Sequence, residues 1–282
     1  MVAQDDWMTA LDAAKRLALA QDKMLLMAWE ESTFYPLPVL IENDKGEQRV
    51  IQNLFESYEL IDILWESFVL VKVNEQEYAE WYENIHGKMN LSYMDKFNDD
   101  SLKVVDVNGN ILNVSYQYSY VLNLNDFIVK YSLNTSFLKQ ELLNYREDKS
   151  FYPTFYLASK YIDYAFYVNQ YVRPEIIDLS SLYLNEARAL LENEEIENEE
   201  GLRQRIELLE TEQSLVLNKP KKVLRRLNRV EESEVQGANK PLYAFLYYTA
   251  YSLLGDEENA SPWHSKVSFL DLDKVKYILT SN

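Results

Sequence analysis

Apolar residues recur at helical spacing near the start of the chain. Trp7, Leu11, Ala14, Leu17 and Ala18 predict an amphipathic helix from Asp6 to Gln21. A buried strand follows, Met24 to Trp29, and passes into the short segment Glu30-Glu31-Ser32-Thr33-Phe34-Tyr35-Pro36-Leu37. A second helix is predicted to start near Asn53 or Ser57, with Leu60, Ile61, Leu64 and Trp65 as its stripe. Phe68-Val69-Leu70-Val71-Lys72-Val73 is rich in β-branched residues and reads as a strand. Tyr78 to Ile85 reads as a short helix closed by Gly87. Leu102 to Val107 and Ile111 to Val114 flank Asn108-Gly109, a hairpin signal that suits a tight turn with two positive-φ residues. Leu122 to Tyr145 then predicts one long or broken helix.

The pattern changes in the second half. From Tyr152 onward no strand is predicted. Helices are expected at Pro153 to Tyr171, Leu179 to Glu192, Leu202 to Leu217, Pro220 to Val230, Pro241 to Leu254, Glu257 to Val267 and Leu272 to Leu279. Pro153, Pro220 and Pro241 suit first helical positions, where a missing N–H costs least. Asp178 and Asp271 suit N-caps. The polar stretch Arg146 to Ser150 marks a boundary between an α/β domain, residues 1–146, and an all-α domain, residues 147–282.

Composition narrows the function classes. The chain of 282 residues carries 46 acidic and 28 basic residues, a formal net charge of −18. That balance disfavours nucleic acid and anionic membrane surfaces as general partners, because both are held by Lys and Arg. No stretch approaches the roughly 20 apolar residues of a membrane span. The start, Val2-Ala3-Gln4 before Asp5-Asp6-Trp7, resembles the end of a removed export signal. Export to the periplasm or cell envelope is therefore the expected localisation, with a cytoplasmic N-terminus as the alternative. There is no cysteine.

Three features carry a family resemblance over roughly the first 145 residues. They are the helix–strand lead-in from Trp7 to Trp29, the tetrad Phe34-Tyr35-Pro36-Leu37, and Leu102 to Gly109 with its Asp-x-x-Gly ending. Together they resemble the thioredoxin-like proteins common in Bacteroidetes-type bacteria, often exported and often followed by a helical region. The tetrad stands where that family has Cys-x-Pro-Cys at a helix start, and the element order is also that of a thioredoxin-like domain. The second half resembles tetratricopeptide-like helical hairpins, without a strict 34-residue repeat. The resemblance implies a mixed sheet flanked by helices, with the tetrad facing a loop at Asp100. The family's cis-proline is replaced there by Asp100, so an ordinary trans loop is expected. Disulfide exchange needs an attacking thiolate and a resolving thiol. A chain with neither has no such chemistry.

The degenerate active-site surface is the first candidate binding site: Glu31, Thr33, Phe34, Tyr35 and Pro36, with Glu30 beside them and Asp99, Asp100 and Ser101 opposite. In the family, peptides lie across this surface as an added strand. The alternative is that Phe34 and Leu37 turn inward and fill the space. Glu30, Glu31, Asp99 and Asp100 read otherwise as solvated acids, as an acid–base pair or as a metal cluster. Asp106-x-Asn108-x-Asn110 lacks the glycine placement of a calcium loop, and Gln117 stands at its closing position. His86 and His264 have no paired spacing. No motif implies a catalytic residue, a metal or a cofactor.

Two further features stand out. Phe155, Tyr156, Tyr161, Tyr164, Phe166, Tyr167 and Tyr171 crowd one helix, as a groove or as a core. Lys219, Lys221, Lys222, Arg225, Arg226 and Arg229 form a basic face, expected to pair with nearby acids such as Glu192 to Glu200. The reading that follows is a non-catalytic protein- or peptide-binding or scaffold protein of the envelope. The alternatives are an enzyme using carboxylates near Glu31 and Asp100, or a structural subunit of a larger assembly.

Overall fold

A computed structural model describes residues 7–43, 45–87, 89–115 and 121–281. Val2-Ala3-Gln4, Asp6 and Gln117 lie outside the described residues. The chain divides into two compact units, Met1–Arg146 and Glu147–Asn282.

The first unit is mixed α/β. Its elements are α1 (Leu11–Gln21), β1 (Met24–Trp29), β2 (Val39–Glu42), β3 (Gln48–Ile51), α2 (Tyr58–Ser67), β4 (Phe68–Val73), α3 (Glu75–Ile85), α4 (Leu91–Asn98), β5 (Lys103–Val105), β6 (Ile111–Val114), β7 (Leu122–Asn123), α5 (Leu124–Tyr131) and α6 (Lys139–Glu147). A four-stranded sheet has the order β4-β1-β5-β6. β1 and β4 are parallel, in register from Met24 opposite Phe68 to Trp29 opposite Val73. Parallel neighbours need a long crossover, here the segment ending in α2. Met8 adds a parallel bridge beyond β4, through its N–H to Leu70 O at 3.1 Å and Lys72 N–H to its own carbonyl at 2.8 Å. Every residue from Met24 to Ala28 is buried. A parallel strand covered on both faces has no polar alternation, which is why this run is continuously apolar.

The β5–β6 hairpin is present, but its turn is not the two-residue form. Among Asp106 to Asn110 only Gly109 has positive φ, +98°. Asp106 builds the loop. Its carboxylate accepts from Asn108 N at 2.9 Å and Asn110 N at 2.8 Å, and its carbonyl accepts from Gly109 N at 3.0 Å. This is a turn closed by a left-handed glycine, with a register shift between Val104 and Val105. Leu122 to Tyr145 is broken into β7, α5, a 3-10 turn at Ser136–Leu138 and α6.

The sequence predicts no element between the tetrad and Asn53, and two strands lie there. No helix starts there. The chain makes the β2–β3 hairpin, which with β7 forms a second sheet of order β3-β2-β7. Helix α2 begins at Tyr58 with Ser57 as its N-cap, where the sequence predicts a helix start. The excursion returns to its point of departure, where Leu54 N donates to Leu37 O at 2.9 Å. Asn53 Oδ1 accepts from Leu37 N and Phe55 N, both at 3.2 Å.

The second unit contains α7 (Phe151–Tyr167), α8 (Arg173–Asn193), α9 (Glu199–Val216), α10 (Pro220–Leu227), α11 (Lys240–Leu253), α12 (Glu257–His264) and α13 (Phe269–Ser281). Asp178 lies inside α8, and Asp271 in the first turn of α13, so neither is an N-cap. Ser268 takes that place at α13: its Oγ accepts from Asp271 N at 3.2 Å and donates to Asp271 Oδ2 at 2.6 Å. α7 packs along α8, and their buried rings Tyr161 and Tyr183 stack at 5.5 Å. Further along, Trp263 of α12 lies face to face on Tyr247 of α11, centroids 4.3 Å apart and planes within 3°. At α13, Lys274 is inserted between Glu212 of α9, at 2.6 Å, and Asp163 of α7. No helix among the described residues is long and apolar enough to cross a membrane.

Candidate functional site

The loop after β1 is a 3-10 turn, Glu30–Phe34, stitched by its own hydroxyls. Ser32 Oγ donates to Trp29 O and Thr33 Oγ1 to Glu30 O, each at 2.7 Å. Such side-chain-to-backbone bonds favour a turn over continued strand or helix. Tyr35 then runs out extended, followed by Pro36 and the neck at Leu37. Phe34 and Tyr35 are 73% and 74% exposed, so Phe34 has not turned inward, while Leu37 is half-buried.

The opposite wall is the loop before β5. Asp99 accepts from Ser101 N at 2.8 Å and from Ser101 Oγ, which fixes the turn. Between the two loops lies a cavity of about 470 Å³, lined by Trp29, Glu31, Ser32, Tyr35, Pro36, Leu37, Phe55, Asp100, Ser101 and Leu102. It therefore joins Glu31, Tyr35 and Pro36 with Asp100 and Ser101. Thr33 and Phe34 do not line it. Trp29, Ser32 and Phe55 do, and sequence reasoning missed them. Trp29 was legible as the last residue of a buried strand, but nothing in the sequence returns Phe55 to the tetrad.

Four backbone donors on the two walls are already used. Leu37 N goes to Asn53, Tyr35 N to Ser32 O at 3.2 Å, Ser101 N to Asp99, and Leu102 N to Ser115 Oγ at 3.1 Å. Pro36 has none. An added strand needs free N–H groups at its edge, and these four are not free for one.

Beneath the Asp99 loop is a buried cation. Lys103 is 1% exposed and donates to the Asp99 carbonyl, with its Nζ 5.8 Å from the Tyr78 ring centroid. Burial pulls its pKa down to about 8, against the upward pull of Asp99 and Asp100. Burial, then Asp100, Asp99 and Glu75, push the Tyr78 hydroxyl above its ordinary range. Tyr78 donates to the Phe97 carbonyl, and its ring packs on Phe97 at 4.5 Å and Trp29 at 5.6 Å. Glu31 and Asp100 are both solvent-exposed. Among the described residues no group of three or more His, Asp or Glu is placed to hold a metal ion.

In the second unit, Phe155, Tyr161, Tyr164 and Phe166 belong to the core, whereas Tyr156, Tyr167 and Tyr171 are exposed. The basic face is split. Arg226 and Arg229 line a cavity of about 340 Å³ together with Glu207 and Glu210. Lys219, Lys221, Lys222 and Arg225 line a different one and, among the described residues, pair with no carboxylate, contrary to the expected pairing. No protein-family model, curated protein or solved structure matches this chain.

Proposed function

We propose that this chain is a non-catalytic protein- or peptide-binding or scaffold protein of the cell envelope. In this reading a thioredoxin-like unit without redox chemistry is joined to a tetratricopeptide-like helical unit. The succession α1, β1, α2, β4, α3 and the β5–β6 hairpin, with the β2–β3 hairpin between β1 and α2 and α4 after α3, supports the first part, and the paired helices after residue 147 support the second. The observation that carries the binding role is the adjacent pair Phe34 and Tyr35, both about three-quarters exposed, of which Tyr35 lines the cavity. Aromatic side chains at a rim offer large apolar area at little conformational cost. With those four backbone donors spent, the partner is read as a side chain or a turn seated beside Tyr35 and Pro36.

The test is selection of peptides on the full chain from a displayed library, followed by affinity measurement. Phe34→Ala with Tyr35→Ala should weaken the selected peptides by about tenfold or more, with circular dichroism unchanged. Affinity that survives both changes sinks the assignment to this surface. The enzyme alternative rests on Glu31 and Asp100 lining one cavity. Two exposed carboxylates lack the contrast of environments that separates an acid from a base, so binding is the better reading.

A further inference from the structure

We propose that the helical unit binds a compact phosphate-type anion in the cavity lined by Lys219, Lys221, Lys222 and Arg225. The cavity measures about 470 Å³, within the range of small-molecule sites. The left-handed residue Asn218, φ +52°, turns the chain there, and Lys219 N closes the turn on Ser214 O at 3.0 Å. Pro220 then opens α10. Within α10, Lys222 and Arg225 are three residues apart and Lys221 and Arg225 four apart, so their side chains share a face.

The cations are uncompensated. Acidic residues outnumber basic ones by 46 to 28. Elsewhere in the same unit, Arg188, Arg203, Lys266 and Lys276 each reach a carboxylate within 3.4 Å. None of the four cations at this cavity does, among the described residues. Like charges at helical spacing cost a few tenths of a kcal/mol per pair. Arg226, then partial burial, then Lys219 and Arg225 hold the Lys222 ammonium below its ordinary pKa. A dianion between these side chains removes that repulsion and forms charge-assisted hydrogen bonds.

Size follows from the surroundings. Three cations on one short helix and a fourth, Lys219, at its N-cap match one or two phosphate groups. A long polyanion would run past them onto a chain of net charge −18. Leu254 and Pro220 supply apolar lining for an organic portion.

Calorimetric titration of the full chain at constant ionic strength tests the site with inorganic phosphate, pyrophosphate and phenyl phosphate. Saturable binding of at least one is expected. Phenyl phosphate binding tighter than phosphate assigns a phosphate monoester, and the reverse order assigns the free anion. Lys219→Ala with Lys222→Ala should weaken binding by about tenfold or more, as should the exposed pair Lys221→Ala with Arg225→Ala. The distant exposed change Lys276→Ala should shift it by less than about twofold. No saturation with any of the three probes up to about 10 mM overturns the proposal. Wild-type affinity retained in both double variants does so too.

Discussion

Lys103 holds a cationic amine where almost no water reaches it. Its pKa of about 8 lies below the ordinary value near 10.5 because burial outweighs Asp99 and Asp100. Below pH 8 the folded and unfolded chains both carry the proton, and the burial penalty is fully present. Between about pH 8 and the ordinary value the unfolded chain binds more protons, so stability rises with pH. Wild type should therefore gain about 2–3 kcal/mol relative to Lys103→Met from pH 7 to pH 10. Urea unfolding of both proteins at several pH values measures this, and a flat difference would show that the ammonium is well solvated. Tyr78 and Tyr93, pushed upward chiefly by burial, oppose the trend only above pH 10. The lysine was visible in the sequence as a lone charge among Leu102, Val104 and Val105. Its burial was not, because that depends on Tyr78 and Phe97, residues brought in by two other helices.

At the scale of elements, α13 is held by an ionic centre as well as by Val275 and Ile278, both buried. The Lys274 ammonium meets Glu212 and Asp163 and faces the rings of Phe166 and Phe245 at 4.7 and 5.1 Å. Burial alone would lower its pKa, but the two carboxylates prevail and hold it above the ordinary value. Lys274→Met strands the buried Glu212 and should cost about 3–5 kcal/mol in chemical unfolding, most of which Glu212→Leu should restore. A double variant no better than the single one would mean that packing, and not charge, seats the helix. Elements with long periodic or β-branched runs, such as α1, β1, β4 and α11, are legible in the sequence. The short ones are not. α4 buries only Tyr93 and Phe97, and β3 only partly covers Ile51, so neither leaves a pattern that outweighs its polar neighbours. The tetrad was legible as a loop, but not as the neck of a hairpin. The hydrogen bonds that make it one join residues 16 and 17 positions apart.

Across the whole molecule, the five tryptophans are unevenly distributed. Trp7, Trp29, Trp65 and Trp81 lie in the first unit and Trp263 alone in the second. The stack of Trp263 on Tyr247 has an optical consequence. Two rings held parallel at 4.3 Å give a chiral near-ultraviolet signal that exists only while the helical unit is packed. Subtracting the circular dichroism of Trp263→Phe from that of wild type should isolate this signal. Heating the pair in parallel should then report the melting of the helical unit by itself. A featureless difference spectrum would mean that the rings are not locked together. The chain thus carries a built-in reporter for one of its two halves, readable without a label.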